Sequence, residues 1–353
     1  MKMFFQILLF FTAPLILLSY MSDNIQEKID KIFEEFNLDT PGAAVAVFRN
    51  GKIIYNNGYG LADLDNKIPI NNKTNFRLAS VTKQFTSMSV LILEQERKLS
   101  LNDGLRKFFP LFPDYGKNIT IKHLLQHTSG LLDYEDFIDD TSTYQVKDKD
   151  VLSILMKQDS TYFTPGAQHR YSNSGFALLA LIVEKVSGKS FDDYLMEKIF
   201  IPLDMKNSIA FINGLNEVKN RAYGYTKTDS GFVFSDQSST SAVLGDGGIY
   251  TSIEDMFKWN MALNNSTLLS SDKQKEAWTK GIDGDGSEFD YGYGWRLNQI
   301  DGNVCQYHTG GTCGFSNVYM RFPNQGLSVI VLINIRDYPA LDYGKKVADL
   351  FLK

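Results

Sequence analysis

Residues able to do chemistry fall in three short motifs that follow one another along the chain. The first offers a hydroxyl nucleophile with an amine one helical turn away, the second a phenol and an amide, and the third backbone N–H groups beside glycines. They are Ser80-Val81-Thr82-Lys83, Tyr171-Ser172-Asn173 and His308-Thr309-Gly310-Gly311. No motif carries a function alone, but the ordered set indicates a serine hydrolase that works through an acyl-enzyme.

The first motif stands where an apolar helix is predicted to begin. Residues 81–93 are apolar nearly all round, which is typical of a helix buried on most sides. Lys83 inside such a helix is expected to bond a specific partner, because lysine is rarely buried without one. The alternative for Ser80 is an ordinary helix N-cap. The same spacing recurs at Ser270-Ser271-Asp272-Lys273, but there the surroundings are charged, so the context favours Ser80.

The second motif precedes another apolar helix, predicted over residues 175–186. A phenol beside a cationic lysine has its pKa lowered from about 10 and can then act as a general base. Tyr171 is therefore a candidate base. Two structural alternatives stay open: a half-buried aromatic for Tyr171 and a helix cap for Asn173.

The third motif follows a predicted strand, residues 304–308, that runs into a turn. Its glycines allow a ligand to approach the backbone closely, or they simply form the turn. His308 is either part of the site or a surface polar residue. His127 is expected to be structural, at the end of a helix. The 4 histidines lack metal-ligand spacing, so we expect neither a metal nor a cofactor.

Strand signals lie at both ends of the chain and helical signals lie between them. Residues 43–48 and 53–59 flank Asn50-Gly51, a strong hairpin signal, and further strands are predicted between residues 294 and 335. This order predicts an α/β (α+β) fold in which both termini build an antiparallel sheet flanked by helices, with a mostly helical domain inserted. We assign residues 22–79 and 264–353 to the sheet domain and 80–263 to the helical domain, with 24–353 forming one unit.

Composition narrows the class of protein. The chain has 353 residues, 43% of them hydrophobic, and a net charge of −5, which is typical of a globular protein. No basic stripe is present, so nucleic acid is not an expected partner.

The N-terminus predicts export. Lys2 precedes an apolar run over residues 3–18, which is typical of a secretory signal. The cleavage region Ser19-Tyr20-Met21-Ser22 is poor, so residues 1–21 are either a signal peptide or an uncleaved membrane anchor. Both predict a periplasmic or extracellular protein. In such a compartment Cys305 and Cys313 can pair or stay free, and the sequence leaves both open.

At this point the chain resembles the serine β-lactamase and penicillin-recognising superfamily. The closest branch contains class C β-lactamases, D-alanyl-D-alanine carboxypeptidases, D-aminopeptidases and related esterases. The resemblance covers nearly the whole mature chain. Besides the three motifs it rests on stretches that look like family landmarks: residues 76–80, 119–131, 171–205, 245–248, 291–295 and 310–315.

The resemblance implies a role for each motif. It makes Ser80 the nucleophile, Lys83 its partner, and Tyr171 the general base, alone or shared with Lys83. Asn173 then holds a substrate carbonyl and orients Lys83. The third motif, with His308, Thr309, Gly310 and Gly311, binds substrate, and the backbone N–H groups of Ser80 and Gly311 form an oxyanion hole.

One departure bears on the substrate. Many β-lactamases carry lysine where this chain has His308, and loss of a permanent cation weakens recognition of a substrate carboxylate. The substrate is therefore expected to be a small molecule or peptide. A D-amino-acid peptidase or carboxypeptidase and an esterase rank together, acting on a cell-wall peptide or an ester, ahead of a β-lactamase. A sensor that binds penicillin without turnover is the non-enzymatic rival.

Overall fold

The computed structural model describes residues 24–139 and 141–352. Its strands are β1 (Ala43–Arg49), β2 (Lys52–Tyr59), β3 (Leu61–Asp63), β4 (Ile68–Pro69), β5 (Phe76–Arg77), β6 (Ile209–Ala210), β7 (Tyr225–Thr228), β8 (Gly231–Phe234), β9 (Ile249–Thr251), β10 (Gly281–Ile282), β11 (Glu288–Phe289), β12 (Arg296–Ile300), β13 (Asn303–Thr312), β14 (Phe315–Phe322) and β15 (Leu327–Ile333).

Helices occupy most of the chain between β5 and β10 and both flanks of the main sheet. They are α1 (24–32), α2 (Lys83–Gln95), α3 (Leu105–Phe108), α4 (Ile121–Leu125), α5 (Asp148–Leu155), α6 (Asn173–Ser187), α7 (Phe191–Leu195), α8 (Leu244–Gly247), α9 (Ile253–Asn265), α10 (Ser271–Ala277) and α11 (Ala340–Leu352). A π-helical turn, Met196–Phe200, continues α7, and short 3₁₀ turns lie at Ala79–Thr82, Asp114–Gly116, Tyr134–Phe137 and Pro323–Gln325.

The main sheet has six antiparallel strands in the order β12-β13-β14-β15-β1-β2. Its strands come from both ends of the chain, and β1 pairs with β15 so that Val45 lies opposite Val331. The mixed α/β fold with an antiparallel sheet and flanking helices is therefore confirmed. The division into two domains at residues 79/80 and 263/264 stays a prediction.

The hairpin β1–β2 follows from its turn residues. Asn50 has φ of 49° and Gly51 has φ of 75°, so both lie in the left-handed region. A two-residue turn of this kind matches the twist of the flanking strands, and Asn-Gly is the pair that adopts it most readily.

Alternating residues of β1 face two hydrophobic cores. Ala43, Val45 and Val47 pack in one core with residues of α1 and α11. Ala44, Ala46 and Phe48 pack in the other core, which α2, α6 and α9 share. Because side chains of a strand point alternately to opposite faces, one buried strand serves both layers.

Two predicted boundaries differ in ways that affect the motifs. The helix predicted from residue 81 begins at Lys83, and Ser80 lies in the preceding 3₁₀ turn. The strand predicted to end at His308 continues to Thr312, because the glycine segment pairs fully with β14: Gly310 lies opposite Asn317 and Gly311 opposite Ser316.

Two further sequence expectations concern compartment and redox state. Within residues 24–139 and 141–352, no helix combines the length and the apolar character needed to cross a bilayer. The predicted signal peptide or anchor, residues 1–21, lies outside the described residues. Cys305 and Cys313 are both buried and both free.

Candidate active site

Ser80 sits on a tight turn that the surrounding backbone holds in place. Ala79, just before it, has φ of 50°, a left-handed conformation that a residue with a Cβ adopts at a cost. The Leu78 N–H donates to the Ile249 carbonyl at 2.8 Å, and the Ile249 N–H donates to the Thr82 hydroxyl at 3.3 Å. The turn is thus pinned to β9, with Ser80 half-buried at its top.

Lys83 is fully buried and its amine meets three acceptors. Nζ lies 3.0 Å from Ser80 Oγ, 2.8 Å from Asn173 Oδ1 and 3.0 Å from the carbonyl oxygen of Asp246. A lysine ammonium has three N–H donors, so this set matches it. The buried lysine therefore has the partners that burial requires: it links Ser80 to the amide of Asn173 and to the backbone of α8.

Asn173 is the first residue of α6, and its side chain points into the site instead of capping the helix. Its Oδ1 accepts from Lys83, and its Nδ2 donates to Glu135 Oε1 at 3.1 Å. Hydrogen bonds thus run from Ser80 through Lys83 and Asn173 to Glu135. The structure brings the first two motifs together and adds a carboxylate to them.

Tyr171 borders the same lysine. Its ring centroid lies 5.0 Å from Lys83 Nζ, and 5.7 Å from the guanidinium carbon of Arg296. The phenol is half-buried, and its hydroxyl has no hydrogen-bond partner among the described residues. A general base often comes within hydrogen-bond distance only once substrate is bound, so this position is compatible with that role.

Gly310 and Gly311 let β13 lie against the 3₁₀ turn that carries Ser80. A Cβ on Gly310 would lie 2.1 Å from the Leu78 carbonyl oxygen and 3.1 Å from the Ser80 nitrogen, so only glycine fits. A Cβ on Gly311 would meet nothing within 4 Å, because this residue faces the open cleft. The backbone of β13 at Gly310 therefore lies directly against the Ser80 turn.

His308 lies on the same strand, but its side chain is buried and does not line the cleft. It is 1% exposed, with Nδ1 2.6 Å from the Thr309 carbonyl oxygen and Nε2 3.0 Å from the Tyr291 hydroxyl. Nδ1 must carry the proton because a carbonyl only accepts. Burial, and next the charge of Lys83, lower the pKa of His308 to about 3, so the ring is neutral. At this strand Gly311 and Thr312 form the cleft wall.

A polar cleft opens over Ser80, with about 320 Å³ of empty space. The sequence motifs supply Ser80, Asn173 and Gly311 to its lining. Sequence reasoning missed the contributions of Tyr134 and Glu135. The acidic stretch that follows the His127 turn is a signal that could have drawn attention to them.

Carboxyl groups surround the lysine. Burial raises the pKa of Asp246 to about 8, against the opposing charge of Lys83. Asp246 Oδ2 also accepts from the Tyr134 hydroxyl at 3.0 Å. Desolvation, and next the charge of Asp133, raise the pKa of Glu135. Desolvation and the charge of Asp136 raise the pKa of Asp133, against the hydrogen bond from the Glu135 N–H. The cleft rim is acidic on the side of α6.

The arrangement supplies the parts of acyl transfer. Ser80 is a hydroxyl next to an amine, Tyr171 is a phenol near that amine, and the glycine segment of β13 lies against the backbone of the Ser80 turn; these are the groups that acyl transfer needs. Among the described residues no cluster of His, Cys, Asp and Glu has the geometry of a metal site.

Comparison with known proteins agrees with this geometry. The chain is 30% identical over 335 residues to penicillin-binding protein 4* of Bacillus subtilis, covering 89% of this chain and 73% of that protein. Protein Flp of Staphylococcus aureus is 32% identical over 324 residues, covering 89% of this chain and 64% of its own length. The chain thus spans about two thirds of these relatives.

Solved structures share the fold. A penicillin-binding protein from Bacillus halodurans is 29% identical with a TM-score of 0.80, covering 92% of this chain and 100% of that chain. A D-amino acid amidase from Ochrobactrum anthropi is 21% identical with a TM-score of 0.80, covering 93% and 98%, a likeness of fold alone. The family model described as Beta-lactamase matches residues 29–351. This chain therefore belongs to the Beta-lactamase family.

Proposed function

We propose that this protein is a serine hydrolase acting through an acyl-enzyme on amides or esters whose acyl part carries a free amino group beside the carbonyl. The observation that carries the proposal is the hydrogen-bonded series Ser80, Lys83, Asn173 and Glu135. It places a nucleophile and a carboxylate at the two ends of one short polar network.

The reaction needs two half-steps at Ser80. Its Oγ attacks the carbonyl carbon, while its proton passes to the phenolate of Tyr171 or to the neutral amine of Lys83, and on to the leaving amine or alcohol as the old bond breaks. The oxyanion meets the N–H groups of Ser80 and Gly311, each worth roughly 3 kcal/mol in comparable acyl transfer. Water then attacks the acyl carbon of the ester formed on Ser80. Its proton returns by the same route to Ser80 Oγ as the bond between Oγ and the acyl carbon breaks, which releases the carboxylic acid.

The acidic rim supports an amine on the acyl part. Glu135 lies at the cleft mouth and its Oε1 contacts the amide of Asn173, which the resemblance assigns to the substrate carbonyl. An ammonium group next to that carbonyl would therefore stand near Glu135, and a charge-assisted hydrogen bond would hold it. Asp133, two residues earlier on the same loop, adds a second carboxyl group.

The third motif argues against recognition of a substrate carboxylate. His308 is neutral and buried, with both ring nitrogens engaged, so it offers no cation to a C-terminal carboxylate. Aminopeptidase, amidase or esterase action is thus favoured over carboxypeptidase action. The fold is compatible with amide hydrolysis, since an amidase is built on it.

Paired substrates test the proposal. D- and L-alanine p-nitroanilide and methyl ester would be assayed beside their N-acetyl forms. We expect hydrolysis of the free-amine forms, loss of turnover in Ser80→Ala, and a fall of kcat/KM of roughly 10-fold or more in Glu135→Gln for free-amine substrates only. Glu217→Gln, which removes the same charge from an exposed loop, is the matched control. Equal rates with N-acetylated substrates in the wild type would overturn the preference for an amine, and full activity in Ser80→Ala would overturn the nucleophile.

Penicillin gives a second candidate, a β-lactamase or a sensor without turnover, because the curated relative from Bacillus subtilis is called a penicillin-binding protein. The intact mass of the protein after incubation with a penicillin tests it. A short-lived adduct on Ser80 would favour a β-lactamase, and a persistent one a sensor.

We further propose export, on the strength of Lys2 and the apolar run of residues 3–18. Expression of the full chain with mass measurement of the cellular and external fractions distinguishes a cleaved signal from an anchor. Protein retained in the cytoplasm at full mass would contradict export.

A further inference from the structure

His127 makes two hydrogen bonds that bracket Tyr171. Its ring Nδ1 accepts from the Ser172 N–H at 3.1 Å, and its carbonyl oxygen accepts from the Arg170 N–H at 2.9 Å. One residue thus holds the peptide units on both sides of the phenol. Tyr171 itself has no such restraint from its hydroxyl, so its position depends on this backbone.

The imidazole also packs against the phenol it brackets. The ring centroids of His127 and Tyr171 are 4.3 Å apart, and Tyr291 and Phe176 close the other sides at 4.7 and 5.1 Å. His127 is 1% exposed, so neither water nor a mobile side chain can take over these contacts. Ring and backbone contacts act on the same residue.

The backbone of His127 is itself unusual. It follows α4 with φ of 57°, in the left-handed region that costs energy for a residue with a Cβ. Asparagine tolerates this region better than most residues, and a simple helix stop would be served by glycine or asparagine. What an asparagine or a glycine would lack is the ring that packs on Tyr171.

The charge state fits the hydrogen bond. The Ser172 N–H can only donate, so Nδ1 must be unprotonated. Burial, followed by the nearby charges of Lys83 and Arg296, lowers the pKa of His127 well below its ordinary value, so the neutral ring persists.

We propose that His127 is the positioning residue for Tyr171: it holds the phenol in a fixed position relative to Lys83 and Ser80. This inference rests on the proposed hydrolase function only through the role of Tyr171 as base. His127 touches no reacting atom and acts through Tyr171 alone. Its loss should therefore affect the chemical step, not the affinity for substrate.

A matched pair of variants separates the hydrogen bond from Ser172 from the mere presence of a polar side chain at residue 127. The Oδ1 of His127→Asn stands close to the place of Nδ1 and can accept from Ser172, whereas His127→Gln puts its amide farther out. We expect kcat to fall by roughly 10- to 100-fold in His127→Gln with KM little changed, and to be partly restored in His127→Asn. When Tyr171 is already phenylalanine, adding His127→Gln should lower kcat by less than about twofold further. Additive losses would overturn the proposal.

A readout without turnover covers the case in which no substrate is found. The hydroxyl of Tyr171 would be titrated by NMR with tyrosine labelled at Cζ, its resonance identified by its absence in Tyr171→Phe. We expect the midpoint to move in His127→Gln and to return toward the wild-type value in His127→Asn. An unmoved midpoint in a folded His127→Gln protein would overturn the positioning role, whereas absence of hydrolysis in the wild type would count only against the proposed function.

His123→Gln is the control for a lost imidazole in α4, the helix that His127 follows. His123 Nδ1 accepts from the Thr120 N–H at the start of α4 and is not in contact with Tyr171. It should lower the melting temperature while leaving kcat and the Tyr171 titration unchanged. A Tyr171 shift as large as that in His127→Gln would mean that any damage to α4 suffices, and would overturn the specific role of His127.

Discussion

Lys83 and Asn173 are the first residues of α2 and α6, and a 2.8 Å hydrogen bond joins Nζ of one to Oδ1 of the other. The starts of two long buried helices therefore meet beside Ser80. Because the backbone of each helix is fixed by its own core contacts, the two side chains have little freedom to separate. The amine is held where it can act on Ser80.

Replacing Lys83 tests the first motif against its second copy in the chain. Lys83→Ala removes the amine that contacts Ser80 Oγ, so acylation should slow by roughly 10²- to 10⁴-fold, as for loss of a general base. The rate of labelling of Ser80 by a fluorophosphonate measures this step directly. Lys273→Ala, in the other Ser-x-x-Lys segment, is the matched control and should label at the wild-type rate. Unchanged labelling in Lys83→Ala would remove Lys83 from the mechanism.

Tyr171→Phe tests the base. The phenol ring and its packing stay, and only the hydroxyl near Lys83 is lost. We expect kcat to fall by roughly 10²-fold or more, with a small change in melting temperature. Steady-state kinetics over pH would show whether a limb of the wild-type profile disappears with the hydroxyl. Near-wild-type kcat would leave Lys83 as the sole base.

Gly310 and Gly311 should respond differently to alanine. In Gly310→Ala the new methyl would overlap the Leu78 carbonyl, which must shift together with the Ser80 turn, so the free energy of unfolding should drop by about 1–3 kcal/mol. In Gly311→Ala the methyl meets open space, and stability should be unchanged. Urea unfolding of both variants measures the difference. Equal stability of the two variants would contradict the close contact between β13 and the turn that carries Ser80.

Asp246 should make stability depend on pH. Burial raises its pKa from 3.8 to about 8, so the folded protein holds this proton more tightly than the unfolded chain does. The contribution of this group to the free energy of unfolding is then fullest below about pH 4, and it decreases as the pH rises to about 8. Asp246→Asn removes the titration while keeping an acceptor for Tyr134.

The variant should therefore gain stability relative to the wild type as the pH rises. Urea unfolding of both proteins at about pH 5, 7 and 9 gives the difference, which cancels the titration of the groups that do not interact with Asp246. A difference that stays constant over this range would mean that Asp246 titrates normally. Activity is not needed for this test.

The sequence by itself determined the local elements and supplied the candidate reactive groups, whose roles stay a prediction. Asn50-Gly51 specifies a hairpin because few other pairs adopt two left-handed residues, and the run after Lys83 specifies a buried helix because it has no polar face. The family resemblance was confirmed by the match over residues 29–351. These features depend on neighbours along the chain, which a sequence displays directly.

Tertiary structure decided which groups face one another. Glu135 lies 38 residues from Asn173 in the chain, and no local pattern tells that their side chains meet. His308 turned out to be buried and bonded at both nitrogens, although its place in a motif suggested contact with substrate. His127 brackets Tyr171 across 45 residues to Ser172. Such contacts arise from tertiary packing, where distance in space is independent of separation in sequence, and burial then sets the charge of each group.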